Sequence, residues 1–479
     1  MKGNSQEKKE KNIFSGMIIT FLIFYFAVLV LVFVKVFAYV GAELSLDNIS
    51  MFIAFALALP CILLSFCIYL GSSKSSVCLS QKKLIAVVIA LFLNFTINIV
   101  IEEISLYLIP TTFSALILVQ LVDKRDVFIS NLMLNMVMMV TTFFESIMCN
   151  IEYAAMESIF MLLISVLTGA VISYSLSGLT SRTSFIIRSM IIISINIELM
   201  YLINLVSDVF FFFDFVGFLC LSNYGQVLLA ILLEPIFESV FRILTSTKLH
   251  ELSSSDLIYR LQHEAPGTYN HCQTVAGLAE ACAIAIGESG IMARTCALYH
   301  DVGKLYSPMY FAENQSEGVN PHDNLLPEVS ADILRKHTTH GYELCREAGI
   351  PEEIARVTIE HHGTLQMRMF YNKAKMLTDS DVDEYDYTYN TGSKPTTKIA
   401  AIIMICDACE AALRSMSDPQ PDDVRKMLAG IINERVLTHQ FDECDVTMQD
   451  INNIIEEIVK AFGGVTHTRM KYPKADKKW

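Results

Sequence analysis

Eight long apolar stretches fill the first half of this chain, and no other feature restricts its folding as much. They run Ile13–Val40, Met51–Leu70, Leu84–Val100, Tyr107–Val122, Val127–Met148, Ser158–Leu176, Ser184–Leu205 and Val216–Ile236. A helix crosses a bilayer with about 20 mostly apolar residues, so most of these are long enough, while Tyr107–Val122 is short. The reading is an all-α chain. A cytoplasmic tail (1–12) leads into a multi-span helical membrane domain (13–244), then a connecting helix (245–265) and a helical cytoplasmic domain (266–479).

Charges between the stretches set the topology. Lys2, Lys8, Lys9 and Lys11 precede the first stretch; Lys74, Lys82 and Lys83 follow the second, Lys124 and Arg125 the fourth, and Arg182 with Arg188 the sixth. The other connections hold Glu43 and Asp47, Glu102 and Glu103, Glu152, then Asp208 and Asp214, with no Lys or Arg. This alternation predicts eight spans in the cell membrane, with both termini in the cytoplasm. The first run is too long for a cleaved signal peptide and lacks a small-residue cleavage site, so it is expected to stay in the bilayer. Lys35, near the outer end of the first span, is expected to snorkel to the headgroups. Glu198, inside the seventh, is read as a protonated or internally hydrogen-bonded bundle residue rather than part of an ion path.

All 11 histidines lie at position 250 or later, in the part that repeats its apolar residues at three and four and never alternates at two. Helices are expected from Asp256 to a stop at Pro266-Gly267, then over Tyr269–Ile286, Ile291–Tyr306, Ser330–Ala348, Glu352–His362, Lys398–Ser415 and Asp450–Phe462. Ser255 is the candidate cap of the first, and Gly287 the stop of the second. The stretch Asp379–Lys394, rich in Asp, Tyr, Thr and Asn, reads as an exposed loop.

Seven residues in this half have the chemistry of a metal-ligand set: His271, His300, Asp301, His337, His361, His362 and Asp407. Neutral imidazole and carboxylate hold borderline metals such as Mn, Fe or Zn, and two such ions can share a hydroxide and clamp a phosphodiester. A lone helical histidine is more often structural. Adjacent doublets, His300-Asp301 and His361-His362, with single ligands on further helices, are hard to assign to packing alone. The formal net charge of -14 argues against a broad basic face for a nucleic-acid polymer. Twelve scattered cysteines fit a reducing compartment. Cys406 and Cys409 form a CxxC, but their helical flanks, with no preceding strand, argue against a redox role.

The soluble half resembles the HD domain of PgpH-type cyclic di-AMP phosphodiesterases, in which a multi-span membrane unit feeds an HD domain. The matching text is Glu264 through His271 (EAPGTYNH), His300-Asp301-Val-Gly-Lys304, Glu313-Asn-Gln315, Asn320-Pro-His322-Asp323, His361-His362-Gly-Thr364, and Cys406-Asp407 through Arg414-Ser415. HDxGK alone would mark only the broad HD superfamily; the longer strings narrow it. The resemblance implies a membrane-bound, metal-dependent hydrolase that opens cyclic di-AMP to linear 5′-pApA with two divalent ions, Mn or Fe. His271, His300, Asp301 and Asp407 would hold one ion, and His337, His361 and His362 the other, with Asp301 bridging. Asp301 and Lys304 would be catalytic, Lys304 neutralising charge on the phosphate, while Lys304, His322 and Arg414 would contact substrate. The implied partners are a cyclic dinucleotide and the lipid bilayer, with a homodimer left open.

Several positions depart from the family's text. Its large extracellular domain after the first span is replaced by a connection of about Gly41–Ser50, so the sensor is missing. His340 stands where an Asp is usual, Ile399 replaces an acidic residue, and Glu384–Lys394 lacks the usual Arg and Gly-Pro text. None of these is one of the seven ligands. His340 is read as a residue behind the ligands or at the surface; His250, His263, His439 and His467 are read as incidental. Three alternatives remain open. A cyclic di-GMP hydrolase is one, although Gly-Thr-Leu-Gln-Met follows His361-His362 where Gly-Tyr-Pro would be expected. The others are a nucleoside-phosphate hydrolase and a non-catalytic nucleotide-binding receptor.

Overall fold

A computed structural model describes residues 2–39, 43–73, 80–102, 108–149, 154–206, 213–315, 320–378, 381–416 and 420–466, with positions 41, 75, 77 and 104. Lys74, Glu103, Glu152, Asp208 and His467 lie outside the described residues, as do the side chains of Lys2, Lys8, Lys9, Lys11 and Asp214. The chain divides into two compact units, Met1–Lys248 and Leu249–Trp479. Among the described residues both are helical, and the sole β contact is an isolated bridge between Gln366 and Thr388.

The first unit contains α1 (Lys2–Phe33), α2 (Leu46–Ser72), α3 (Gln81–Glu102), α4 (Phe113–Leu121), α5 (Lys124–Cys149), α6 (Ala154–Ser175), α7 (Arg182–Val206) and α8 (Phe213–Phe241). Six of these helices are long and apolar enough to cross a membrane, and α6 carries a shorter apolar segment, Leu162–Ser175. The protein is a multi-pass membrane protein.

The fourth stretch, expected as a short span, holds only the nine-residue helix α4. The nine residues of α4 rise only about 13–14 Å, under half of a hydrocarbon core about 30 Å thick. All nine are buried inside the unit. The non-helical residues before α4 are served by side chains of other helices. Gln226 Oε1 accepts from Thr112 N at 3.3 Å and Thr112 Oγ1 at 3.1 Å, and Ser165 Oγ donates to Thr111 O at 2.9 Å. Irregular backbone survives at membrane depth only where protein satisfies it in this way.

Two charged residues also correct the sequence reading. Lys35 does not snorkel: it lies in the π-helical turn Val34–Tyr39 that continues α1, with Nζ 2.8 Å from Glu102 and 2.7 Å from Glu145. Those carboxylates replace the headgroups as its partners. Glu198 faces outward from the bundle rather than into it.

In the second unit Ser255 caps α9 (Asp256–Glu264), accepting from Ile258 N. Pro266, expected to stop that helix, also opens the next, because at the first helical position its missing N–H costs nothing. That helix, α10 (Pro266–Ala285), buries Val275, Leu278, Ala279 and Cys282 as its apolar face requires. It packs against α11 (Gly290–Tyr299), α14 (Lys398–Arg414) and α16 (Met448–Thr466). Between these come α12 (Pro327–Glu347), α13 (Arg368–Leu377) and α15 (Pro421–Leu437).

Four expectations change here. The helix expected over Ile291–Tyr306 ends at Tyr299 and resumes as a 3-10 segment, Val302–Tyr306. That over Glu352–His362 is two single turns, Glu352–Ala355 and Val357–Glu360. Helices α13 and α15 were not anticipated; their polar composition masks an apolar side limited to Phe370 and Ala374, and to Val424, Leu428 and Ile432. The stretch read as an exposed loop buries Tyr387 and Tyr389 against Met367 and Phe370, so its aromatics belong to a small core; residues 379–380 lie outside the described residues.

Candidate metal centre

Five segments converge to bring the seven ligand-type residues together. His271 lies on α10, His300 and Asp301 in the turn after α11, and His337 on α12. His361 and His362 follow the turn Val357–Glu360, and Asp407 lies on α14. The break after Tyr299 shapes the centre: His300 and Asp301 sit in a turn, not on a continuing helix, which lets both point inward. Gly303 makes the turn possible, since a Cβ there would lie 1.8 Å from the His337 carbonyl oxygen. Gly363, with φ +57°, reverses the chain after His362.

Hydrogen bonds donated by Nδ1 leave several Nε2 atoms free to act as ligands. His300 Nδ1 donates to Ala297 O at 2.6 Å, His361 Nδ1 to Val357 O at 3.1 Å, and His337 Nδ1 to Leu334 O. His271 Nδ1 donates to Glu410 Oε2 at 2.6 Å, the carboxylate–histidine arrangement found behind many metal ligands. With protons fixed on Nδ1, the Nε2 lone pairs of His337 and His361 face each other across 3.3 Å. Such facing lone pairs repel unless a cation lies between them.

Asp301 divides the cluster. Its Oδ2 faces His271 Nε2 at 3.6 Å and His300 Nε2 at 3.3 Å, while Oδ1 faces His337 Nε2 at 3.4 Å and His361 Nε2 at 3.6 Å. Asp407 Oδ1 lies 3.0 Å from His271 Nε2, and its Oδ2 lies 3.8 Å from His362 Nδ1. Asp301 Oδ1 and His300 Nε2 are buried with no hydrogen-bond partner among the described residues, which is rare for groups without a missing ligand. Three overlapping ligand groups result: His337 with His361 and His362; His271 with His300 and Asp301; and His300 with His361 and Asp407. This donor set fits a metal site.

The electrostatics agree. Burial opposes charge on His271, but its hydrogen bonds to Asp407 and Glu410 outweigh it and raise the imidazole to about 10. Against the same burial, Asp301 holds His300 well above its usual range. Lys304 and His300 hold Asp301 well below the carboxylate range despite its burial, and His271 does the same for Asp407. Burial, with His361 alongside, pushes His362 well below 6.5. The carboxylates thus draw cationic charge to one side of Asp301, while burial holds His361 and His362 low, as neutral imidazoles ready to bind a metal. His362 and Asp407, 25% and 14% exposed, open the cluster to solvent.

Lys304 Nζ sits 2.6 Å from Asp301 and 2.7 Å from Glu313, and 4.9 Å from the centre of the Phe311 ring. It therefore lies at the centre. Neither of the other two expected substrate residues takes a place among the ligands. His322 is buried between Tyr310 and Phe370 and shares a hydrogen bond with Tyr310 O at 2.9 Å. Arg414 pairs with Glu410 at 2.6 Å and approaches His271 Nδ1 at 3.3 Å, so it braces a ligand from behind. The His340 ring packs, tilted, against Tyr306, with ring centres 4.1 Å apart. Cys406 and Cys409 are buried free thiols. The sequence reading quoted Glu313 and Glu410 in its matching strings without giving either a role, and it missed Tyr389, whose ring stacks on His362 at 4.4 Å. The role of Glu410 was findable, one helical turn from Asp407; Tyr389 offered no local signal.

Comparison with known proteins gives two family matches: the HD domain over residues 268–412, and the 7TM receptor with intracellular HD hydrolase over residues 49–245. The chain is similar to the cyclic-di-AMP phosphodiesterase PgpH of Listeria monocytogenes, at 38% identity over 349 residues, 68% of this chain and 48% of that protein. The cyclic-di-AMP phosphodiesterase PgpH of Bacillus subtilis is 41% identical over 259 residues, 54% of this chain and 36% of that protein. The chain thus spans about half the length, or less, of the relatives it matches. A crystal structure of the L. monocytogenes PgpH HD domain in complex with cyclic-di-AMP is 44% identical over 44% of this chain and 98% of that one, with a TM-score of 0.43.

Proposed function

This chain belongs to the PgpH-type family of multi-span membrane proteins with an intracellular HD domain, and on that premise we propose that it hydrolyses cyclic di-AMP to linear 5′-pApA. The observation that carries the reading is the division of Asp301, one oxygen toward His271 and His300 and the other toward His337 and His361. A carboxylate placed in that way suits a centre of two divalent ions, Mn or Fe, with Asp407 completing the first ligand set and His362 the second. Such ions, when bound, would lower the pKa of water to give a hydroxide near neutral pH and offset charge on the phosphoryl oxygens.

The residues divide the remaining work. Glu410 holds His271 in the tautomer that presents Nε2. Lys304, kept cationic by Asp301 and Glu313, supplies fixed positive charge beside the bridging carboxylate, which would stabilise a phosphorane-like charge distribution. Burial of the inner ligands excludes water from all but the His362–Asp407 side, where a substrate phosphate would enter.

The test is direct. Full-length protein in detergent is incubated with Mn or Fe(II) and, separately, cyclic di-AMP, cyclic di-GMP, pApA and dGTP, and the products are separated by chromatography. Metal-dependent conversion of cyclic di-AMP to pApA is expected; preferential turnover of cyclic di-GMP or dGTP would refute the substrate.

The orientation of the membrane unit is part of the same proposal. Lys82 and Lys83 open α3, Lys124 and Arg125 open α5, and Arg182 opens α7, so these ends lie on the cytoplasmic face. On this orientation the described residues 108–123, with α4, would lead back to the cytoplasmic face. Cysteine labelling in intact cells checks this: a cysteine at Ser181 should be protected from an impermeant reagent, and one at Leu44 should react.

A further inference from the structure

Lys304 is held beside the bridging carboxylate by Asp301 and Glu313, so its charge acts there and none is left over for a second anion. The surplus lies on the opposite side, near His362. There Arg435, near the end of α15, pairs with Glu434, and Arg368, at the start of α13, pairs with the same carboxylate at 2.7 Å. Two guanidiniums share one carboxylate, leaving a net positive charge.

Arg435 is an unusual arginine. Only 12% of its side chain is exposed, yet its Nε has no hydrogen-bond partner among the described residues. A buried guanidinium with an unused donor is costly and implies an acceptor that the protein does not itself provide. Its position relative to the ligands is fixed through Gln440. Gln440 N donates to Arg435 O at 2.9 Å, and its Oε1 accepts from Thr364 N at 3.0 Å, two residues beyond His362. A Cβ on Gly363 would lie 2.1 Å from that Oε1, so α15 is seated directly on the turn that carries the ligand doublet. Arg435 is also close enough to feel the charge of Asp407, though burial still holds its guanidinium below the usual arginine range.

A cyclic dinucleotide carries two phosphodiesters, and the ligand cluster can engage only one of them in cleavage. We propose that Arg435, held with Arg368 on Glu434 beside the His362 turn, seats the second phosphate, the one that is not cut. The assignment rests on the cyclic-dinucleotide reading of the centre. It gives the site a way to distinguish a substrate with two linked phosphates from one with a single diester. Arginine suits the role, because its planar fork can give two parallel hydrogen bonds to one phosphate.

The test compares two substrates on the full-length protein in detergent: cyclic di-AMP, and bis(p-nitrophenyl) phosphate, which has one diester and no second phosphate. Arg435→Gln should raise KM for cyclic di-AMP about tenfold, the size of one charge-assisted hydrogen bond. The ratio of cyclic di-AMP to bis(p-nitrophenyl) phosphate turnover should fall by about as much, with bound metal per chain unchanged. Arg435→Lys should recover only part of the loss. Arg368→Ala, at a side chain 65% exposed and thus safe for folding, should raise the same KM by a smaller factor. Equal losses on both substrates, or no change in KM for cyclic di-AMP in either the Arg435 or the Arg368 variants, would overturn the assignment. If wild-type protein cleaved only bis(p-nitrophenyl) phosphate, the cyclic-dinucleotide reading itself would have failed, and the second seat with it.

Discussion

Each unit of this protein buries one lysine between two carboxylates, and the two triads have different consequences. In the membrane unit Lys35 lies 2.8 Å from Glu102 and 2.7 Å from Glu145; in the helical unit Lys304 lies 2.6 Å from Asp301 and 2.7 Å from Glu313. Around Lys35 the neighbours are bundle residues of α1, α3 and α5. Around Lys304 one carboxylate, Asp301, also faces four imidazole nitrogens. Charge pairing at similar distances therefore does not by itself mark a functional site. What separates the two is whether the same carboxylate is shared with groups that have lone pairs to offer.

The largest effect should come from breaking the shared carboxylate. Asp301→Ala removes the ligand common to both halves of the cluster, and hydrolysis of cyclic di-AMP should fall by about a thousandfold or more with helix content unchanged by circular dichroism. Lys35→Met should do the reverse: removing one partner from a buried charge cluster costs about 3–5 kcal/mol. The thermal midpoint in detergent should drop, while turnover per folded molecule stays the same. If Lys35→Met abolished turnover in fully folded protein, the contrast between the triads would be wrong.

A smaller effect is expected behind the ligands. Glu410→Gln keeps the shape but removes the charge that orients His271 Nε2, and metal affinity should weaken by about 10- to 100-fold, measured by competition with a chelating dye. Smaller still is a pH effect. With chelator present, His271 is raised from 6.5 to about 10 by Asp407 and Glu410. The folded state then binds a proton that the unfolded chain releases. That stabilisation is complete below about pH 6.5 and is lost as pH rises toward 10. Thermal melts in chelator should therefore weaken over that window, and added Mn should remove the trend, because metal replaces the proton on His271. The least effect is expected from His340→Asp, since His340 packs against Tyr306 and not among the ligands.

What the sequence made legible follows the range of each interaction. The seven ligands could be read because doublets such as His300-Asp301 and His361-His362 are local signals, and the apolar stretches because spanning a bilayer is a matter of composition. The break after Tyr299 and the chain reversal after His362 were hidden, since they depend on Gly303 meeting the backbone of α12 and on Gly363 meeting Gln440, contacts distant in sequence. The same holds in the membrane unit. Tyr107–Val122 reads as a short span, but its backbone at Thr111 and Thr112 is satisfied by Ser165 and Gln226 on other helices. Lys35 was misread for that reason too: its partners lie 67 and 110 residues away.

The central claim is that Asp301 joins two metal ions in one centre, and electron paramagnetic resonance tests it most directly. Metal-stripped full-length protein is titrated with Mn(II) while turnover of cyclic di-AMP is followed in the same samples. Two ions per chain should bind, the second should bring an exchange-coupled spectrum together with activity, and Asp301→Ala should lose both. Full turnover with one ion per chain, or an unchanged coupled spectrum in Asp301→Ala, would contradict it.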